Sequence, residues 1–174
     1  MSELGHWMKA VVITTNSGLE VCDCPKPAPG PDELLIKVKA AGLNRADLYQ
    51  RQGTYNKKVS PEVQGPLIAG MEAAGIIEGL GSNVSGFAAG DRVMGMCTGG
   101  YAEYITLDFR LALPVPNAFD WQEAAATPLA CMTAYNALVM NACLRSGESV
   151  LVNAASSGVG IFALQIARLL GAKP

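Results

Sequence analysis

The chain contains 174 residues, half of which are hydrophobic, and its formal net charge is −2 at pH 7. This length suits one domain, or one domain with part of another. No basic block supports nucleic-acid binding, and no apolar run approaches the ~18 residues of a membrane span, so neither a nucleic-acid nor a membrane partner is expected.

The cysteines are odd in number and irregular in spacing, and the N-terminal residues contain no signal-peptide core. The five are Cys22, Cys24, Cys97, Cys131 and Cys143. This usage is typical of reduced thiols in the cytosol rather than of a disulfide framework. We therefore expect a cytoplasmic protein whose cysteines are small buried hydrophobic residues.

Short strands separated by glycine- and proline-rich turns are expected in the first half of the chain. Residues 18–24 alternate in polarity, so Cys22 and Cys24 should point to one face. Alternate prolines between residues 25 and 31 indicate a turn. The predicted strands are 8–15, 18–24, 33–40, 74–80, 91–96 and 101–106. Many short strands with this punctuation predict a small β-barrel.

The pattern changes to alternating helices and strand near Asp120. Asp120 as N-cap, with Glu123 three residues later, predicts the start of a helix. The predicted elements are helices 121–126, 129–143 and 159–170 and a fully apolar strand within 147–153, of the kind found in parallel sheets. A parallel strand needs neighbours, so we expect the chain to be truncated relative to a complete protein.

The turn between that strand and the last helix has the residues of a pyrophosphate-binding loop. It is Ala155-Ser-Ser-Gly-Val-Gly160. Small residues let phosphate oxygens approach backbone amides, and the helix N-terminus adds a partial positive charge. Ala155 and Ser157 replace the first two glycines of the G-x-G-x-x-G pattern. A tight corner that binds no ligand therefore remains an alternative at this point.

Several segments resemble the quinone oxidoreductase and zeta-crystallin group of the medium-chain dehydrogenase/reductase superfamily. Residues 147–168 resemble the group's signature, with Ser157 where the signature has glycine. Residues 41–55 resemble the active-site segment of the family's N-terminal domain. The other matching segments follow in the family's order at 70–75, 90–93, 99–104 and 128–135.

The resemblance implies a mainly β GroES-like catalytic barrel followed by the start of an α/β Rossmann domain. The first domain would span residues 1–120. The second, the dinucleotide-binding domain, would span residues 121–174 and be incomplete. For a full-length form, the resemblance implies a homodimer.

The same resemblance implies a catalytic site in the first domain and a cofactor site that extends into the second. The implied catalytic residues are Tyr55, Asn44, Asp47 and Tyr49. Tyr55 is the candidate donor of a hydrogen bond or proton to the acceptor oxygen, because a phenol is a donor at neutral pH. The implied cofactor-binding residues are Asn44, Thr133, Ala155, Ser156, Ser157, Gly158, Val159 and Gly160.

Each candidate side chain also has a purely structural interpretation. Asn44 could cap a turn, and Asp47 could form an i,i+4 ion pair with Arg51 instead of acting as acid or base. Tyr49 and Tyr55 could serve only as packing aromatics. Thr133 could be an ordinary helical threonine.

The residues that bind zinc in zinc-dependent members of the superfamily are replaced here. Asn44 stands where those members have their first cysteine, and Met71 stands where they have histidine. The only histidine is His6, and Glu72 with Cys97 does not supply the three or four ligands that zinc requires. We therefore expect no zinc.

A zinc-free site favours acceptors that delocalise the negative charge left by hydride delivery, because hydrogen-bond donors then suffice. The sequence thus predicts NADPH-dependent reduction of quinones or α,β-unsaturated carbonyls, with NADPH preferred to NADH by resemblance. We expect the 174-residue chain itself to be weakly active or inactive. The alternatives are an enoyl-thioester reductase and a non-catalytic binding protein.

Overall fold

The computed structural model describes residues 7–55 and 66–174. The chain divides into two compact units, Met1–Ala126 and Thr127–Pro174. This division falls shortly after residue 120, where the sequence pattern changes. Each unit is described by itself below.

A two-stranded hairpin opens the first unit. Strands β1 (Trp7–Ile13) and β2 (Leu19–Pro25) pair antiparallel, with Met8 opposite Cys24. Cys24 is buried, and Cys22 packs against the same hydrophobic cluster. The prediction that these two cysteines share one face is therefore confirmed.

A five-stranded antiparallel sheet forms the centre of the first unit. Its strands are β3 (Glu33–Ala41), β4 (Glu72–Leu80), β5 (Arg92–Met96), β6 (Tyr104–Asp108) and β7 (Leu113–Pro114). Their order is β6-β3-β4-β5-β7. The described strands belong to two separate hydrogen-bonded sheets, this five-stranded sheet and the hairpin. The strands therefore do not form the one closed barrel that the sequence predicted.

The largest hydrophobic cluster of the first unit lies on one face of this sheet. Leu34, Ile36, Ile77 and Val93 are almost completely buried there. Apolar residues recur at every second position of β3, as a strand with one buried face requires. The alternation predicted from the sequence for this strand is thus confirmed.

Two short helices complete the first unit. Helix α1 (Arg45–Arg51) follows β3, and helix α2 (Trp121–Ala125) packs against β3 and β4. At the start of α2, the Glu123 backbone N–H donates to Asp120 Oδ1 over 2.7 Å, and the Asp120 N–H donates to Glu123 Oε2 over 3.1 Å. The predicted capping box is confirmed.

The second unit is built on two helices. Helix α3 (Pro128–Tyr135) packs against helix α4 (Gly158–Leu169) through small buried residues such as Ala134 and Ala167. The sequence predicted one helix over 129–143. In the structure α3 ends at Tyr135 and continues as a π-helical segment, Asn136–Asn141, because the backbone changes to wider hydrogen-bonded turns there.

The apolar segment 147–153 does not form a strand of a sheet, so the prediction of a buried parallel strand was wrong for the described chain. Ser149 makes an isolated parallel bridge with Lys173, and the Val150 N–H donates to the Lys173 carbonyl over 3.0 Å. Leu151 is 86% exposed. A parallel strand is stabilised by neighbours on both sides, and a single bridge does not provide them.

None of the helices described in residues 7–55 and 66–174 is long and apolar enough to cross a membrane.

Candidate functional site

The site predicted at Asn44 and Asp47 lies where the chain leaves β3 and enters α1. Asn44 is the N-cap of this helix. Its backbone N–H donates to Oδ2 of Asp47 over 2.6 Å. The carboxylate thus satisfies an amide that has no partner within the helix, which stabilises the first turn.

Glu72, at the start of β4, accepts a hydrogen bond from the side chain of Asn44. Glu72 is only 1% exposed, and its Oε1 accepts a hydrogen bond of 2.7 Å from Asn44 Nδ2. A buried carboxylate is costly unless donors surround it. The Asn44 amide is one such donor, so the two side chains stabilise each other.

Tyr101, in the segment before β6, adds a second donor to Asp47. Its hydroxyl donates to Asp47 Oδ2 over 2.5 Å and lies 3.2 Å from the Gly42 carbonyl oxygen. The neighbouring Gly70 has φ +99°, and a Cβ there would lie 2.6 Å from Tyr101 Cδ1. Glycine at this position therefore lets the Tyr101 ring reach Asp47.

Burial and the nearby acidic groups keep the Tyr101 phenol protonated. Burial, the hydrogen bond to Asp47 and the charges of Asp47 and Glu72 all raise the pKa of Tyr101 well above its ordinary value. The hydroxyl is therefore a hydrogen-bond donor across the physiological pH range.

Cys97, which follows β5, is a second neutral group near Glu72. Burial, and to a lesser degree the charge of Glu72, raise the pKa of the Cys97 thiol to about 12. The thiolate, which is the form that binds metal or attacks electrophiles, is therefore scarce at neutral pH.

A cleft of about 430 Å³ opens beside this hydrogen-bonded group. Its apolar wall consists of Leu19, Leu43, Leu48 and Ala69. Its polar residues are Asn44, Arg45, Asp47, Arg51 and Tyr101. An apolar cavity with a few convergent polar groups is the usual form of a small-molecule site.

The two other predicted tyrosines lie outside the residues that line this cleft. Tyr49 is 42% exposed and Tyr55 is 43% exposed. The Tyr55 backbone N–H donates to the Tyr49 carbonyl over 3.2 Å, so the end of α1 brings these two residues together. Arg45 Nε lies 3.3 Å from the Tyr49 hydroxyl, to which it donates.

The expected ion pair between Asp47 and Arg51 is absent from the described part of the chain, so that interpretation was wrong. The Asp47 carboxylate turns instead towards Tyr101 and the Asn44 N–H. Arg51 Nε and Asp47 Oδ1 are buried atoms without a hydrogen-bond partner. Two directed hydrogen bonds to one oxygen outweigh a helix-surface pair worth about 0.2–0.5 kcal/mol.

Comparison with known proteins identifies the family. The model of the alcohol dehydrogenase GroES-like domain matches residues 30–117. The chain belongs to this family. The resemblance inferred from the sequence motifs is confirmed by a quinone oxidoreductase of Lama guanicoe, which is 43% identical over 92% of this chain and 49% of its own length. The chain therefore spans about half the length of this curated relative.

Solved structures extend the likeness of this GroES-like chain beyond residue 117. A mycobacterial protein complexed with NADPH is 35% identical with a TM-score of 0.82, over 95% of this chain and 51% of that one. The CurK enoyl reductase is 30% identical with a TM-score of 0.84, over 96% of this chain and 52% of that one. Both matches include most of the second unit.

In this GroES-like family member, the turn before α4 has the geometry of an anion-binding helix N-terminus. Ser157 is the N-cap, and its Oγ accepts a hydrogen bond of 3.0 Å from the Gly160 N–H. The first intrahelical bond runs from Ile161 N–H to the Ser157 carbonyl over 2.8 Å. Gly158 and Val159 precede it, and both residues are exposed. The first backbone N–H groups of a helix have no partner within the helix.

Backbone packing fixes the shape of this turn. A Cβ on Gly160 would lie 2.4 Å from the Ala154 carbonyl oxygen. Ala154 itself has φ 53°, in the left-handed region. Ser156 is exposed and Ala155 is half-buried. The turn therefore has a fixed backbone shape, and the Ser157 hydroxyl is engaged as the cap of α4.

Thr133 lies in α3 of the second unit and is exposed. Its Oγ1 donates to the Leu129 carbonyl over 2.7 Å. This back-bond is the ordinary behaviour of a helical threonine. A role for Thr133 in binding the nicotinamide carboxamide stays a prediction.

Across residues 7–55 and 66–174, no three His, Cys, Asp or Glu side chains are grouped so that they could hold a metal ion. At the position expected for a zinc ligand, the Asn44 amide donates to Glu72. Zinc independence remains part of the functional proposal below.

Two residues of the site were missed at the sequence level. Tyr101 is 54 positions from its partner Asp47, and no local pattern links residues so far apart. Glu72 left a weaker signal, as a single acidic residue in a run of small and apolar ones. Such a residue in a buried strand indicates a hydrogen-bonded carboxylate.

Proposed function

We propose that this chain carries the acceptor-binding and pyrophosphate-binding parts of an NADPH-dependent, zinc-independent reductase of quinones or α,β-unsaturated carbonyls. The observation that carries the proposal is the apolar cleft beside Asn44, whose amide is held by Glu72 at 2.7 Å. The Lama guanicoe relative is named a quinone oxidoreductase, which supports a quinone as the substrate.

The acceptor half of the proposal rests on the chemistry of the first unit. An apolar cleft suits a planar conjugated ring, and amide or phenol donors stabilise the negative charge that develops on its oxygen. Asn44, which lines the cleft, is one proposed donor. Tyr55, which lies outside the residues that line the cleft, is the second, and it is proposed from the family resemblance alone. NADPH, when bound, would supply the hydride, and Tyr55 would supply the proton that completes the reduction.

The cofactor half rests on the turn before α4. Gly158 and Val159 are exposed residues at the N-terminus of α4, and Gly160 is closely packed. Such a turn suits a pyrophosphate. The structure of the mycobacterial relative in complex with NADPH supports the choice of NADPH over NADH.

Zinc independence is consistent with the arrangement around Glu72. The Glu72 carboxylate accepts the Asn44 amide, and in residues 7–55 and 66–174 no three His, Cys, Asp or Glu side chains are grouped around a possible metal site. A zinc site needs three or four ligands in tetrahedral reach, with cysteine as thiolate. The proposed reaction therefore uses hydrogen-bond donors in place of a Lewis acid.

An enoyl-thioester reductase is the second candidate. The CurK enoyl reductase shares the fold of this chain with a TM-score of 0.84. Both reactions deliver a hydride to a conjugated carbonyl, so the same donors would serve either. A non-catalytic binding protein is the third candidate, and it requires only that the cleft be occupied.

The first experiment is calorimetry of the purified chain with NADPH and NADH, followed by assays with a quinone and with an enoyl thioester. We expect micromolar binding, a preference for NADPH, and slow quinone reduction. A Tyr55→Phe variant should keep NADPH affinity and lose about 10–100-fold in rate, because one donor to the developing oxyanion is removed. Tyr104→Phe is the matched control.

Each negative result of these experiments would contradict a different part of the proposal. Turnover of the enoyl thioester alone would favour the second candidate. Quinone binding without any nucleotide binding would contradict the cofactor half. Equal rates for the wild type and Tyr55→Phe would contradict the role of Tyr55.

A further inference from the structure

The Asn44 amide is held in place by a chain of hydrogen bonds that begins at Tyr101. The Tyr101 hydroxyl donates to Asp47 Oδ2 over 2.5 Å, and the same oxygen accepts the Asn44 N–H over 2.6 Å. The Asn44 side chain then donates to Glu72 over 2.7 Å. Asn44 is therefore fixed at both its backbone and its side chain.

We infer that Tyr101 is a positioning residue for the acceptor site. Through Asp47, its hydroxyl fixes the first turn of α1 and hence the direction of the Asn44 amide in the cleft. The inference deepens the proposed function and rests on it for the role of Asn44, whereas the hydrogen-bond chain stands on the geometry alone.

The Asp47 carboxylate has few hydrogen-bond donors, so its orientation depends on the Tyr101 hydroxyl. In the described chain no cation pairs with Asp47, and its Oδ1 has no hydrogen-bond partner. Oδ2 therefore depends on the Tyr101 hydroxyl and the Asn44 N–H. Loss of the phenol oxygen leaves a half-buried carboxylate with one donor, and such a group turns towards water to recover hydrogen bonds.

Tyr101 can perform this role without changing its protonation state. Burial and the acidic neighbours raise the pKa of its phenol, so the hydroxyl remains a donor wherever the protein is folded. By accepting this hydrogen bond, the Asp47 carboxylate orients the first turn of α1.

The deciding experiment compares Tyr101→Phe with Tyr104→Phe. Both substitutions remove one phenol oxygen, but the Tyr104 ring lies outside the site, with the ammonium of Lys26 3.6 Å from its centroid. The readouts are the NMR signals of the Asn44 side-chain amide, assigned through Asn44→Ala, and the dissociation constant of menadione, a neutral naphthoquinone.

We expect Tyr101→Phe to shift or broaden the Asn44 amide signals and to weaken menadione binding about tenfold, the effect of about one directed hydrogen bond. Tyr104→Phe should change neither readout. Unchanged Asn44 signals in Tyr101→Phe would overturn the inference. Absence of menadione binding by the wild type would instead contradict the proposed function, and the Asn44 signals would still decide the positioning role.

Asp47→Asn provides an independent variant should Tyr101→Phe fail to fold. It keeps an acceptor oxygen but removes the charge that strengthens the bond to Tyr101. The Asn44 amide signals should move in the same sense as in Tyr101→Phe. Unchanged Asn44 amide signals in Asp47→Asn would also overturn the inference.

Discussion

Cys97 shows how one buried carboxylate controls the chemistry of its neighbours. Its thiol lies near Glu72, which is almost fully buried. Burial first, and the Glu72 charge second, raise the pKa of the thiol to about 12. A cysteine in such a place is a neutral packing residue, as the sequence led us to expect. Cys143 is exposed, so the expectation of a buried thiol was wrong for that residue.

We predict that Cys97 resists alkylation in the folded protein. At about pH 8, iodoacetamide should label the exposed Cys143 quickly and Cys97 very slowly, because the thiolate is the reacting species. In denaturant both should react at similar rates. Mass spectrometry of tryptic peptides gives the measurement, and equal labelling of the two cysteines in the folded protein would contradict it.

The same pKa shift predicts a loss of stability at alkaline pH. Between the ordinary value of 9.0 and about 12, the unfolded chain releases the Cys97 proton while the folded chain retains it. The free energy of unfolding should therefore fall as pH rises through this window. In Cys97→Ala the fall should be smaller, which urea denaturation at several pH values would measure.

Residues that act through local spacing were predictable from the sequence, and those that act across the fold were not. Asn44 and Asp47 are three positions apart, so their link at the start of α1 follows from helix geometry. The contact between Asp47 and Tyr101 depends on how α1 and the segment before β6 fold together. The family resemblance implied roles for Asn44 and Asp47 but none for Tyr101.

Among the secondary-structure elements, the first turn of α4 contains two glycines, Gly158 and Gly160, that differ in how closely they are packed. A Cβ on Gly160 would lie 2.4 Å from the Ala154 carbonyl oxygen, whereas a Cβ on Gly158 would lie 3.6 Å from the Ala130 Cβ. The first distance forces the backbone to move. The second is an ordinary van der Waals contact.

We predict that Gly160→Ala lowers the free energy of unfolding by about 1–3 kcal/mol through overpacking. Gly158→Ala should be neutral or slightly stabilising, because alanine favours helix more than glycine does. Urea denaturation of both variants is the measurement. Equal effects of the two substitutions would show that the turn is not closely packed at Gly160.

Elements with a local signature were predicted well. The capping box at Asp120 and the alternation of β3 were read correctly from the sequence. The π-helical segment Asn136–Asn141 was missed, because a change of hydrogen-bond register leaves no trace in apolar spacing. The apolar segment 147–153 was assigned as a strand because composition predicts burial, whereas a strand also requires partners.

For the molecule as a whole, the two units differ in the size of the side chains that they bury. The first unit buries Leu34, Ile36 and Ile77 in a five-stranded sheet. The main cluster of the second unit is built largely from alanines such as Ala163 and Ala167. Alanine removes little apolar surface from water, so the second core contributes less hydrophobic stabilisation.

We predict that hydrogen exchange separates the two units. Amides of β3 and β4 should exchange slowest, because these strands are central in the sheet and enclosed by large side chains. The amides of Leu151 and Val152 should exchange earliest, since only the bridge at Ser149 and the hydrogen bond from the Val150 N–H to Lys173 hold this segment. Mass spectrometry of exchange would contradict this if both regions were protected equally.

The backbone conformation of Ala154 limits which residues can replace it during evolution. Its left-handed φ of 53° costs a residue with a Cβ about 1–2 kcal/mol. Glycine would avoid that cost but would give the unfolded chain more freedom, which offsets about 0.4–1 kcal/mol of the gain. Glycine would therefore be favoured at position 154 by at most about 1.6 kcal/mol, so both alanine and glycine should be tolerated there. Position 160, six residues later on the same turn, has no such freedom, because its close contact with the Ala154 carbonyl admits only glycine.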